Sequence, residues 1–135
     1  MLGNGLRELD RFLSVLIDEV AATAGLDDDA LGLLRTRRNT AAKLILLHAA
    51  QGRSSPHDRR LRALGRSRDC LFYCDGLVRR ADRRGGRSMT AGWPARRSPL
   101  GSRLTLHRGD LADVCRFYER VADELLAATP ASATR

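Results

Sequence analysis

Apolar residues recur at helical spacing at both ends of the chain. From Asn4 to Ala24, Leu6, Leu9, Leu13, Leu16, Ile17, Val20 and Ala24 fall at steps of three and four. Arg7, Glu8, Asp10, Arg11, Asp18 and Glu19 lie off that stripe. The spacing predicts an amphipathic helix ended by Gly25. At the other end, Leu111, Val114, Cys115, Tyr118, Val121, Ala122 and Leu125 form a second stripe. That helix is expected to start at the cap Asp110, with Asp113 in a capping-box-like position, and to end near Ala128. The tail TPASATR is expected to fray. Both stripes approximate a heptad seam, so the two helices suit pairing with each other and with a second copy of the chain.

The interior divides at its turn residues. Asp27, Asp28 and Asp29 suit the cap and first turn of a helical region running to about Gln51, with a break near Thr36 that would cap a new start. Leu31, Leu34, Ala41, Leu44, Ile45, Leu47 and His48 supply its apolar face, and His48 is expected to be a hydrogen-bonded histidine of the core or its boundary. Gly52 to His57 reads as a linker, with Pro56 pre-set for the next helix. A short helix from Asp58 to Leu64, a tight break at Gly65–Arg66 and a longer helix from Ser67 to about Arg84 are predicted next. Gly85-Gly86 stops that helix. Two β-prone runs, Arg87 to Trp93 and Arg103 to His107, flank a loop holding Pro94, Pro99 and Gly101. Trp93 is expected to pack the hairpin onto a helix. Helix, turn, helix and hairpin is the order of a winged helix-turn-helix, in which the second helix enters the DNA major groove. The fold class expected is mainly α with a small β-hairpin, one domain over residues 1–135: dimerisation helices at 1–25 and 110–128, and a DNA-binding unit at 57–107.

Charge sharpens this picture. The net charge is +8, with 23 arginines and one lysine. Residues 1–34 carry −5, residues 35–109 carry +15 and residues 110–135 carry −2. A genome that favours arginine codons explains the arginine-to-lysine ratio but not the segregation, which suits a nucleic-acid surface between two acidic ends. On the predicted second helix, Arg68, Asp69 and Tyr73 are placed to read bases, and Ser67, Arg79, Arg80 and Arg83 to hold phosphates. Gly76 would let that helix approach the groove. Arg66, Arg84 and Arg87 extend the surface, and Arg96 and Arg97 at the wing tip are placed to enter the minor groove. With six aromatic residues and none interleaved with the basic runs, a single-stranded RNA surface is poorly supported.

Other classes have less behind them. No run approaches the roughly 18 apolar residues of a membrane span, and the first residues lack a signal-peptide pattern, so a cytoplasmic protein with no membrane partner is expected. Cys70, Cys74 and Cys115 form no CxxC pair and read as reduced, packed thiols. His48, His57 and His107 share no ligand spacing with them, so neither a metal nor another cofactor is expected. No serine, cysteine or carboxylate constellation has catalytic spacing.

Three stretches resemble the MarR-type winged-helix regulators. They are LILLHAAQG, LRALGRSRDCLFYCDGLVRRADRRG and SRLTLHRGDLADV, spanning about Ala41 to Leu126. The resemblance implies a recognition helix at Ser67–Arg84, a wing at Trp93–Ser102, and a homodimer held by the first and last helices. The function expected is a non-enzymatic, sequence-specific regulator of transcription bound to double-stranded DNA. No sequence feature identifies a small-molecule effector. One alternative is a non-catalytic adaptor using the same fold and arginine face to bind an acidic partner. Behind it stands a ribonuclease: RRNTAAK, Arg37 to Lys43, resembles the Arg-Asn motif of HEPN-type ribonucleases, but Lys43 stands where the family's histidine would be and His48 is too far along.

Overall fold

The computed structural model describes residues 2–53, 56–93 and 96–127. It is mainly helical: α1 (Leu2–Thr23), α2 (Asp28–Thr36), α3 (Thr40–Ala50), α4 (Asp58–Tyr73), a two-stranded antiparallel hairpin of β1 (Ser88–Thr90) and β2 (Arg97–Pro99), and α5 (Arg108–Ala127). Among the described residues, no helix is long and apolar enough to cross a membrane. Ser54 and Ser55 of the expected linker, Pro94 of the expected wing loop, and Ala128 with the TPASATR tail lie outside the described residues.

The chain divides into two compact units. The first comprises the described residues of 1–9 and 59–116; the second those of 10–58 and 117–135. The second unit is helical and buries Leu13, Ile17, Val20, Leu34, Leu44, Leu47, Val121 and Leu125. The stripes assigned to a dimer seam therefore supply core residues within the chain. Polar links lock the same helices. Lys43, 5% exposed, places Nζ 2.8 Å from Ser14 Oγ and 3.0 Å from both Asp18 carboxylate oxygens. Thr40 Oγ1 donates to Asp10 at 2.8 Å. The break after Thr36 is present, but Thr36 does not cap the new helix. Its hydroxyl turns back to Leu33 O, while Asn39 Oδ1 accepts from the amides of Ala41 and Ala42. Asn39 caps α3 because it is extended where the helix begins.

The first unit departs most from expectation. No break occurs at Gly65: α4 runs straight from Asp58 to Tyr73. A glycine inside a helix costs only about 1 kcal/mol, whereas continuing the helix puts Leu61, Leu64, Ser67 and Cys70 on one buried face. The helix from Ser67 to Arg84 is absent as such. Its end comes at Asp75 and Gly76, both with positive φ (52° and 83°), where Gly76 N donates to Cys70 O at 2.9 Å. This bond, reaching back six residues, satisfies a terminal carbonyl and stops the helix. Gly76 is thus a terminator, not a groove-facing residue; a Cβ there would lie 3.2 Å from Leu104 O.

The second predicted strand is also displaced. β2 forms from residues 97–99, inside the expected loop, with Met89 opposite Ser98 and Thr90 opposite Arg97. Arg103–His107 contributes only a bridge, Leu77 to Arg103, flanked by Leu104 N donating to Gly76 O. α5 begins at Arg108, ahead of the expected cap, and Asp110 Oδ2 accepts from His107 N at 3.1 Å. Asp110 is therefore the reciprocal member of a cap centred on His107. Further along α5, Phe117 is buried, and Cys115, expected on the buried stripe, is exposed.

Candidate nucleic-acid interface

At about 100° per residue, Arg59, Arg62, Arg66, Asp69 and Tyr73 share one stripe of the straight α4, opposite its buried face. Arg66, Asp69 and Tyr73 are among the contact residues that the sequence predicts. Arg59 and Arg62 are not, although their spacing is visible once the helix is read as continuous through Gly65. The stripe is charged and partly ordered: Arg66 Nε lies 3.2 Å from Asp82 Oδ1, and Tyr73 is 72% exposed with its ring edge-on to Phe72 at 4.8 Å.

Two predicted contact residues sit elsewhere. Ser67 caps nothing and cannot meet a phosphate. It is fully buried in mid-helix, its hydroxyl donating to Ala63 O at 2.8 Å and accepting from Gly92 N at 3.0 Å. The local preference of serine for a helix cap yields to a buried hydrogen bond that ties the hairpin loop to α4. Arg68 lies off the stripe and engages the neighbouring carboxylate, Asp69, at 3.2 Å.

Beyond α4 the chain folds back in an irregular segment that carries Arg79, Arg80, Arg83, Arg84 and Arg87, all exposed. None of these five makes an ion pair among the described residues. Asp82 organises this segment. Its carboxylate accepts from Thr90 N at 2.8 Å and from Thr90 Oγ1 at 2.5 Å, while its own amide donates to Ser88 O. Partial burial pushes the Asp82 carboxyl up, but the two Thr90 hydrogen bonds and the charges of Arg66 and Arg97 together hold it below its usual pKa. It is therefore an anion at neutral pH, able to anchor Arg66.

The hairpin is turned round relative to expectation. The end that should project, after β1, begins with Gly92 and Trp93, both buried. Trp93 has no exposed surface, and its indole N–H donates to Thr105 O at 3.0 Å. Gly92 O accepts from Arg60 Nε at 3.1 Å, and Arg60 reaches Asp113 at 2.6 Å. Trp93 does pack the hairpin inward. Arg97 stands exposed on β2, and Arg96 approaches Asp110 at 4.0 Å.

The residues behind the alternative readings have structural roles. Asn39 caps α3 and Lys43 is paired with Asp18, as above. His48 is buried, and among the described residues its Nδ1 has no hydrogen-bond partner, unlike the hydrogen-bonded histidine expected. Burial, then the charges of Arg53 and His57, lower its pKa against the pull of Glu124. Among the described residues, no group of three His, Cys, Asp or Glu is arranged to hold a metal ion. No protein-family model, curated protein or solved structure matches the chain.

Proposed function

We propose that the chain is a double-stranded DNA-binding regulator of transcription, with its first unit as the reading module. One observation carries this. That unit holds sixteen arginines against six carboxylates, a net +10, while the second unit carries −2. Five exposed arginines of residues 79–87 are left without ion pairs among the described residues. Unneutralised, clustered guanidinium groups are what a phosphate backbone requires, and releasing its counterions drives binding.

Within this proposal α4 replaces Ser67–Arg84 as the recognition helix of a winged helix-turn-helix. Arg59, Arg62, Arg66, Asp69 and Tyr73 face the major groove, and the β1–β2 hairpin stands as the wing. Arg79, Arg80, Arg83, Arg84 and Arg87 hold backbone phosphates. Arg96 and Arg97 extend the contact from the hairpin. The active form is a homodimer of MarR type, for which Phe12 and Val15 of α1, 58% and 52% exposed, supply an apolar patch.

Salt dependence separates base reading from phosphate binding. Replacing Arg83, Arg84 and Arg87 by alanine should weaken duplex binding on all sequences alike. The slope of log affinity against log salt should become shallower by about 2–3, near 0.9 for each phosphate no longer neutralised. An unchanged slope would remove this segment from the interface.

A further inference from the structure

We propose that Asp82 is a positioning residue for base recognition: it holds Arg66 of α4 by the inner edge of its guanidinium, so that the outer edge reads a guanine. The assignment rests on duplex DNA being what α4 meets. Both residues, and those that fix Asp82 in place, belong to the first unit.

Arg66 differs from the arginines that follow α4. Arg79, Arg80, Arg83, Arg84 and Arg87 are exposed and make no ion pair among the described residues. The Arg66 side chain is 34% exposed, but its Nε is shut off from solvent and lies 3.2 Å from Asp82 Oδ1. That contact is an ion pair, not an aligned hydrogen bond, and no other charged group pairs with Arg66 among the described residues. The exposed part of the side chain therefore lies away from Nε. A guanidinium carries its five N–H donors in one rigid plane, so a carboxylate that fixes the Nε side also aims the terminal pair.

Asp82 is itself held by the hairpin. Thr90 N donates to Oδ1 at 2.8 Å and Thr90 Oγ1 to Oδ2 at 2.5 Å, while the Asp82 amide donates to Ser88 O at 3.0 Å. β1 thereby sets where the carboxylate stands, and the carboxylate sets Arg66.

This arrangement suits a base edge better than a phosphate. The neighbouring carboxylate offsets the charge that Arg66 would bring to a phosphate, so little counterion release is gained there. A bidentate contact depends on direction, and a fork fixed beforehand loses less side-chain freedom on binding. In the major groove guanine presents N7 and O6, two acceptors that match two parallel N–H groups, whereas adenine puts a donor in place of O6.

The test uses the full chain, with circular dichroism confirming that each variant is folded. In the free protein, the Arg66 Nε–H, identified in heteronuclear spectra by its absence from Arg66→Lys, should exchange with solvent more slowly than the Nε–H groups of exposed arginines. Equal exchange would overturn the anchoring with no DNA present. Sites selected from a random duplex library should hold a guanine in each half-site that Arg66→Lys, which keeps the charge but not the fork, ceases to prefer. The loss of preference at that position should be at least roughly fivefold, read by fluorescence anisotropy on duplexes that differ at that base alone. Asp82→Asn should lose the same preference at the same position. It should also bind the mismatched duplex at least as tightly as the wild type, with a salt slope steeper by up to about 0.9, because a charge is freed for phosphate. A merely structural Asp82 would instead weaken binding on all sequences alike. The exchange measurement and Arg66→Lys decide the matter should Asp82→Asn not fold. Loss of a base other than guanine in Arg66→Lys, no loss at all, or an intact guanine preference in Asp82→Asn would overturn the proposal and leave the DNA reading standing. A folded wild type that selects no sequence would defeat the DNA reading and this assignment with it.

Discussion

Replacing Trp93 by alanine should cost about 3–5 kcal/mol of stability, the range for deleting a large buried aromatic side chain. Trp93 has no exposed surface, and its unit is small, with a core that also buries Leu61, Leu64, Met89, Leu104 and Val114. The loss would have two parts. The cavity removes the packing of a fully buried indole in this core, and Thr105 O loses the indole N–H it accepts from at 3.0 Å. Trp93→Phe separates them: it keeps most of the ring and removes the donor, and should cost about 1–3 kcal/mol. Equilibrium denaturation in urea reads both. A Trp93→Ala midpoint equal to that of the wild type would mean that the hairpin is not held this way.

Gly92→Ala is the second large effect, and the reason is space. A Cβ at position 92 would stand 2.4 Å from Leu64 Cδ2 and 2.8 Å from Leu64 Cα. A side chain can rotate away, but the Cα belongs to the backbone of α4, so the loop itself must move. Movement breaks the Gly92 N–H bond to Ser67 Oγ and leaves that oxygen, which has no exposure to water, without its donor. Overpacking and the lost buried bond together should cost about 2–4 kcal/mol. Gly109→Ala is the contrasting variant: it lies in α5, where a Cβ would meet nothing within 4 Å, and it should be neutral or slightly stabilising. If the two substitutions proved equal in denaturation, the close approach of the loop to α4 would be wrong.

The helices that depend on local pattern are legible in the amino-acid sequence alone. The three- and four-residue steps of α1 and α5 and the Asp27 cap, which accepts from Ala30 N at 2.7 Å, lie where periodicity and capping preference put them. The elements that differ from expectation depend on partners distant in sequence. Gly65 and Ser67 read as a turn and a cap because those are their local preferences. The partner that overrules them, Gly92, is 25 residues beyond Ser67. The hairpin is displaced for a related reason: Trp93 must bury its ring and satisfy its N–H with Thr105 O, twelve residues beyond. Charge segregation needs no folding to be seen.

The most direct test of the central proposal is selection of bound sites from a random duplex library at roughly 150 mM salt, where purely electrostatic binding is suppressed. A homodimer reading bases through α4 should enrich an inverted repeat with half-sites about one helical turn apart. A folded protein that enriches no sequence would contradict it, leaving the arginine surface to an acidic partner other than specific DNA.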